Sequence, residues 1–341
     1  MAKGKKITKS KKRQEQESRK RKRIILLILL VLVMIAMLSA STWAWFSSNK
    51  HATIDSIDIN VATVTGLQVS VDAINWDNIV TKEQIINAPT TYPRAINQLP
   101  DTLANVSTAG NIGDDGTLDM FYGVTTEEKN GGFTLTTIKQ TEIECTGDEE
   151  CVDKHYIAFD IFLLVTTPAT IGITANSSVM PQPDAQDKGA QNAARIGFVI
   201  EGTVGAGNPG AAQNLKANGG KAYIWEPNYD MHSQTGIRNA RDIYGITTTA
   251  SGASRIAYKG VNQEFATPVY IDQTDRSSYF TSVNPDVATP QHFEANQALM
   301  HIPAGITKVR VYMWLEGQDV DMENYVAASK LRYDLELAML N

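Results

Sequence analysis

Lys308-Val-Arg-Val-Tyr-Met-Trp-Leu315 is the stretch that decides the fold class. Val309, Val311, Met313 and Leu315 alternate with Lys308, Arg310, Tyr312 and Trp314. A period of two sorts side chains onto the two faces of an extended strand, and a helix makes no use of it. The pattern predicts an amphipathic strand with one face in a core and one facing water. Leu331, Tyr333, Leu335 and Leu337, alternating with Lys330, Arg332, Asp334 and Glu336, predict a second strand of the same kind. Tyr156–Thr166 differs. Ile157, Phe159, Ile161 and Leu163 fill one alternating set, and Phe162 and Leu164 add apolar bulk to the other, which predicts a central strand buried on both faces.

Further strands are expected at Phe133–Ile138, Ala169–Ala175, Arg195–Glu201 and Ala222–Trp225, with shorter ones at Arg255–Tyr258, Pro268–Ile271 and Ala298–Ile302. Ser56–Val61 and Leu67–Val71 read as a pair of half-buried strands joined by a turn at Thr65-Gly66. A short helix is expected at Lys82–Ile86. Gly202–Gly220 is too rich in Gly, Ala and Asn to supply a core and reads as a surface loop or hairpin tip. Residues 228–254 read as polar and irregular. Many short strands separated by Gly, Pro and Asn turns, with few helices, argue an all-β sandwich with long loops. A jelly-roll-like arrangement is the specific expectation.

The N-terminus is of another character. Residues 1–23 hold twelve Lys/Arg and two Glu, and Ile24–Leu38 is an unbroken apolar run within the uncharged stretch Ile24–Phe46. This is the order of an export signal: basic arm, apolar core, then small residues in Ser39–Ala44. Read as a signal, the segment 24–44 ends in a cleavage site in which Thr42 and Ala44 precede the cut and Trp45 begins the mature chain. Read as an anchor, Ile24–Phe46 forms a helix about 34 Å long, enough to cross a bilayer core. Trp43, Trp45 and Phe46 then make the outer aromatic belt. Both readings keep the arm in the cytoplasm and place 45–341 outside, extracellular or on the cell surface.

Ser41-Thr42-Trp43-Ala44, Trp45-Phe46-Ser47-Ser48-Asn49, then Ala52-Thr53-Ile54 and the strand Ser56–Val61 resemble the TasA/camelysin family over residues 24 to about 62. The resemblance implies a secreted Gram-positive protein processed by a SipW-type signal peptidase, with a jelly-roll body. Two departures stand out: the basic arm is longer than usual, and Leu38-Ser39-Ala40-Ser41 stands where a Gly-bearing small-residue run is normal.

The arm's +10 leaves −16 on the rest of a chain of net charge −6. An exported domain so acidic repels phosphate, so nucleic acid is not an expected partner. The arm is better matched to anionic inner-leaflet lipid. Cys145 and Cys151 read as a disulfide clipping a loop, with two free thiols as the alternative. No second apolar segment, sorting motif or lipidation box is visible, so anchorage is expected from the N-terminal segment alone.

Enzyme motifs are missing. His-Glu-x-x-His is absent, although camelysin-like proteins have carried the label of metalloprotease, and His51, His155, His232, His292 and His301 are scattered. His301, between Met300 and Ile302 in an expected strand, reads as structural. Gly-x-Ser-x-Gly and phosphate-binding Gly loops are absent as well. Calcium is the remaining ligand reading, because it takes six to eight oxygens from flexible acidic loops. Asn111, Asp114, Asp115 and Asp119 form one such loop, and Glu316, Asp319, Asp321 and Asn324 form the favoured one. Against both stands the plainer reading of a solvated acidic turn. Trp225-Glu226-Pro227-Asn228 reads as a capping aromatic at a sandwich edge or as a sugar-stacking platform.

The expectation is therefore an exported, non-enzymatic surface or extracellular-matrix protein of fibre or biofilm type. Self-assembly by N-terminal strand exchange, with Ile57, Ile59 and Val61 filling slots on a neighbour, is one expectation, and pairing of Ile54–Val61 within its own sandwich in a monomer is the plainer alternative. The alternative is a membrane-tethered binding module for carbohydrate or protein.

Overall fold

The computed structural model describes residues 52–53, 58–64, 66–100, 102–127, 133–142, 155–270, 279–322 and 329–340. All belong to one compact unit, 44–341. The basic arm, Ile24–Phe46, the cleavage site Thr42, Ala44 and Trp45, the pair Cys145 and Cys151, Ile57 and Asn324 lie outside the described residues. Among the described residues no helix is long and apolar enough to cross a membrane.

The unit is mostly β. Its large sheet has eleven strands and is centred on Gly305–Glu316. Ile157–Val165 runs antiparallel along one side of that strand and Ala194–Val204 antiparallel along the other. Beyond Ile157–Val165 the chain adds Gln68–Ser70 and Asn97–Gln98. A second sheet of six strands is built around Leu331–Leu340, which pairs antiparallel with Ala169–Ile173 and parallel with Asp58–Val64. Ile79–Thr81 closes the far edge beside Asp58–Val64, and Gln297–Ile302 the edge beside Ala169–Ile173.

One apolar core unites the two sheets. It takes Ile161, Val311 and Phe198 from the large sheet, and Ile171, Tyr333 and Leu335 from the small one, all at most 1% exposed. Leu331–Leu340 alternates buried and partly exposed positions along its first seven residues, as its sequence predicts. Ile157–Val165 is buried on both faces as expected.

Three expectations need correction. Gly305–Glu316 does not face water: all twelve residues are buried. A second apolar layer covers its outer face, with Tyr312 and Trp314 packed among Leu118, Tyr258 and Val283. The pleat is the one the alternation predicts, but the even-numbered set meets protein. Second, Asp58–Val64 and Gln68–Ser70 do not pair with each other. They are joined through Gly66, whose φ of +77° suits a residue without Cβ, and they enter opposite sheets. Third, 228–254 contains the helix Gln234–Tyr244. Ser233 caps its start by accepting from Gly236 N, and Gly245 ends it in the left-handed region. The short helix Lys82–Asn87 forms as predicted, with Thr81 and Gln84 making a reciprocal capping box.

Candidate functional site

The outer face of Gly305–Glu316 carries Lys308, Arg310 and Glu316 into a dry interior, and two groups of ionised side chains form around them. Burying a charge is costly unless partners replace water, so each group is a concentrated electrostatic commitment.

The first group lies at the middle of the strand. Asp160 stands directly opposite Arg310 in the antiparallel register, so both side chains share the outer face. Arg310 donates to it from Nε at 2.8 Å and Nη2 at 3.3 Å. Tyr92 Oη donates to the same carboxylate at 3.1 Å, and Ile96 N at 3.3 Å. Lys308 Nζ approaches Glu201 Oε2 at 2.5 Å and Asp160 Oδ2 at 3.4 Å. Tyr312 donates from its hydroxyl to Glu142. Burial pushes the Asp160 carboxyl up, but Arg310 and Lys308 outweigh it and hold the group below its ordinary range. For Glu142 and Glu201 burial wins, and both are raised.

The second group lies at the strand's end and takes in the favoured acidic turn. Arg195 is fully buried and binds Glu226 Oε1 and Asp319 Oδ2, each at 2.6 Å. Arg255 reaches Glu226 Oε2 at 2.6 Å from a partly exposed position. Glu316 accepts from Trp314 Nε1 and Gln318 N, both at 3.1 Å, and burial raises its pKa to about 7. Asp321 accepts from Ser233 N at 2.6 Å and meets His232 Nδ1 at 2.7 Å. This carboxylate is seated so closely on the helix start that a Cβ at Gly236 would come within 2.0 Å of it. Burial lowers the His232 pKa, but Asp321 more than compensates, so the imidazole is raised above its ordinary value.

The turn thus gathers Glu316, Asp319 and Asp321, but each already has protein donors: Trp314, Arg195 and His232 with Ser233. Among the described residues no three His, Cys, Asp or Glu side chains converge as metal ligands. In the other acidic loop Lys139 Nζ bridges Asp115 at 3.1 Å and Asp119 at 2.7 Å. Trp225 offers no stacking platform: it is fully buried and donates from Nε1 to Thr289 Oγ1 at 3.0 Å. His301 is exposed on its edge strand. Of the proposed exchange residues, Ile59 pairs with Tyr333, and Val61 with Leu335 and Val80, in the same chain.

Sequence reading passed over Asp160, Arg195, Glu201, Lys308 and Arg310. Asp160 carried a signal, a carboxylate in a strand whose two alternating sets are otherwise apolar, whereas Lys308 and Arg310 fit the pattern of a wet strand face. No family model, no curated protein and no solved structure matches the chain.

Proposed function

We propose that the chain is an exported, non-enzymatic structural protein of the cell surface or extracellular matrix, with a jelly-roll-like sandwich for its body. Signal peptidase releases it from the membrane at Ala44, and the freed N-terminal strand then links copies head to tail.

The observation that carries this reading is the place of Asp58–Val64. This strand lies inside the small sheet, parallel to Leu331–Leu340 on one side and antiparallel to Ile79–Thr81 on the other. It follows the export junction by fewer than twenty residues. A strand near a free chain end that fills an inner slot can be supplied by a neighbour through the same main-chain bonds, leaving every backbone group paired. Repeated head to tail, such a contact does not close and builds a filament. Buried charges beside the central strand pair with one another, Arg310 with Asp160 and Arg195 with Glu226 and Asp319.

A chain beginning at Gly66 offers an empty slot and no strand to donate. Added in trace amounts to the mature chain, it should bind filament ends and shorten the filaments in proportion to its share. Unchanged filament length with no incorporation of the short chain rules out strand donation.

A further inference from the structure

We propose that Lys308 and Glu201 condense into an intramolecular amide, a covalent staple between the central strand Gly305–Glu316 and its neighbour Ala194–Val204. The site is assembled by three adjacent strands. Lys308 Nζ lies 2.5 Å from Glu201 Oε2 and 3.4 Å from Asp160 Oδ2. The three side chains are 3%, 1% and 0% exposed. Glu201 faces Lys308 because of a local irregularity. The register steps from Ile200 opposite Val309 to Gly202 opposite Lys308, which leaves Glu201 as the extra residue of a bulge. Bulges re-aim a side chain that regular pleating would send elsewhere.

Glu201 is held between two cations, with Lys308 Nζ 2.5 Å from Oε2 and Arg310 Nη2 3.1 Å from Oε1. The amine also donates to Leu215 O at 3.2 Å. A buried ion pair bears the desolvation cost of two charges, which its mutual attraction must offset. Forming the amide removes both charges at once. Burial raises the Glu201 carboxyl, toward the acid form that condensation needs.

The step balances without any co-reactant. Across the 2.5 Å contact the Lys308 ammonium passes one proton to Glu201 Oε2, leaving a neutral amine beside a neutral acid. The neutral amine attacks Glu201 Cδ, forming the N–C bond and moving the carbonyl electron pair onto Oε1. Arg310 Nη2 faces that oxygen at 3.1 Å and stabilises its developing charge. Asp160, 3.4 Å from the amine, takes one proton from the nitrogen and hands it to the Oε2 hydroxyl; the carbonyl re-forms at Oε1, the Cδ–Oε2 bond breaks, and Oε2 leaves as water. Asp160 is regenerated, and nothing is oxidised or reduced. Holding amine and acid in contact supplies the orientation that makes such a condensation effectively unimolecular.

The test is a peptide map of the full exported chain, reduced, unfolded and digested. The expected product is a branched peptide containing both Lys308 and Glu201, lighter by one water than its two linear parts. Lys308→Arg keeps the cation and removes the nucleophile, so the branch should vanish. Asp160→Asn removes the proton acceptor and should leave most of the chain linear. Full recovery of both linear peptides from the wild type, with Lys308 open to an amine reagent after unfolding, overturns the proposal. So does a branch that maps to Asp160. The wild-type map decides the matter even where a variant fails to fold.

Discussion

Replacing Glu316 with Gln should make the protein more stable at alkaline pH while leaving it nearly unchanged in mild acid. Glu316 is fully buried, and burial raises its pKa from 4.5 to about 7. A raised acid binds its proton more tightly in the folded chain than in the unfolded one. Its burial therefore costs little below the unfolded value, and stability falls as pH rises from 4.5 through about 7. At about 1.4 kcal/mol per pH unit, the loss on full ionisation is about 3 kcal/mol. Gln reproduces the protonated side chain in shape, and its carbonyl keeps one of the two acceptor bonds, which in Glu316 run from Trp314 Nε1 to Oε2 and from Gln318 N to Oε1. Urea denaturation of the chain from Trp45 at pH 5 and pH 8.5 measures the effect. Glu142, Glu201, Asp319 and His232 are also raised and lose stability in the same direction. The difference between variant and wild type at each pH isolates Glu316. Near-equality at pH 5 and a gain of about 3 kcal/mol at pH 8.5 are expected. An identical pH slope in the two proteins refutes the reasoning.

Arg310→Leu leaves Asp160 facing only Lys308, Tyr92 and a backbone N–H, and should cost about 3–5 kcal/mol in the same denaturation assay. Asp321→Ala removes the acceptor for Ser233 N and the partner of His232. It should lower stability by about 1–3 kcal/mol and bring earlier hydrogen exchange in Gln234–Tyr244. His232 itself contributes stability that is fully present below its ordinary value and is lost as pH rises through its raised folded value, so His232→Gln should flatten that share of the profile. Ala44→Phe should block processing and leave the chain in the membrane fraction, as read by N-terminal sequencing and fractionation.

The strand order of neither sheet is written in local pattern, yet the strands themselves were largely legible. Ile157–Val165 announces burial on both faces because apolar side chains occupy both alternating sets. Lys308-Val-Arg-Val-Tyr-Met-Trp-Leu315 announces its pleat but not its surroundings. Lys308 and Arg310 read as solvent-facing because their partners Asp160 and Glu201 lie more than a hundred residues away in sequence. Such charges are compensated only after the sheet forms. In the acidic turn Glu316, Asp319 and Asp321 are close in sequence, but the partners Arg195 and His232 arrive from other strands and loops. Gln234–Tyr244 was missed because its interior carries few apolar residues, although Ser233 and Gly245 marked both ends. The division of 58–64 and 68–70 between sheets turns on tertiary pairing with the C-terminal strand, which no two-residue period encodes.

Assembly of the mature chain is the claim on which the functional account rests. Sedimentation of the chain from Trp45 to Asn341, with electron microscopy of the same sample over a range of concentration, salt and pH, reads it directly. Filaments whose amount grows with concentration are expected. A single monomeric species under every condition contradicts assembly.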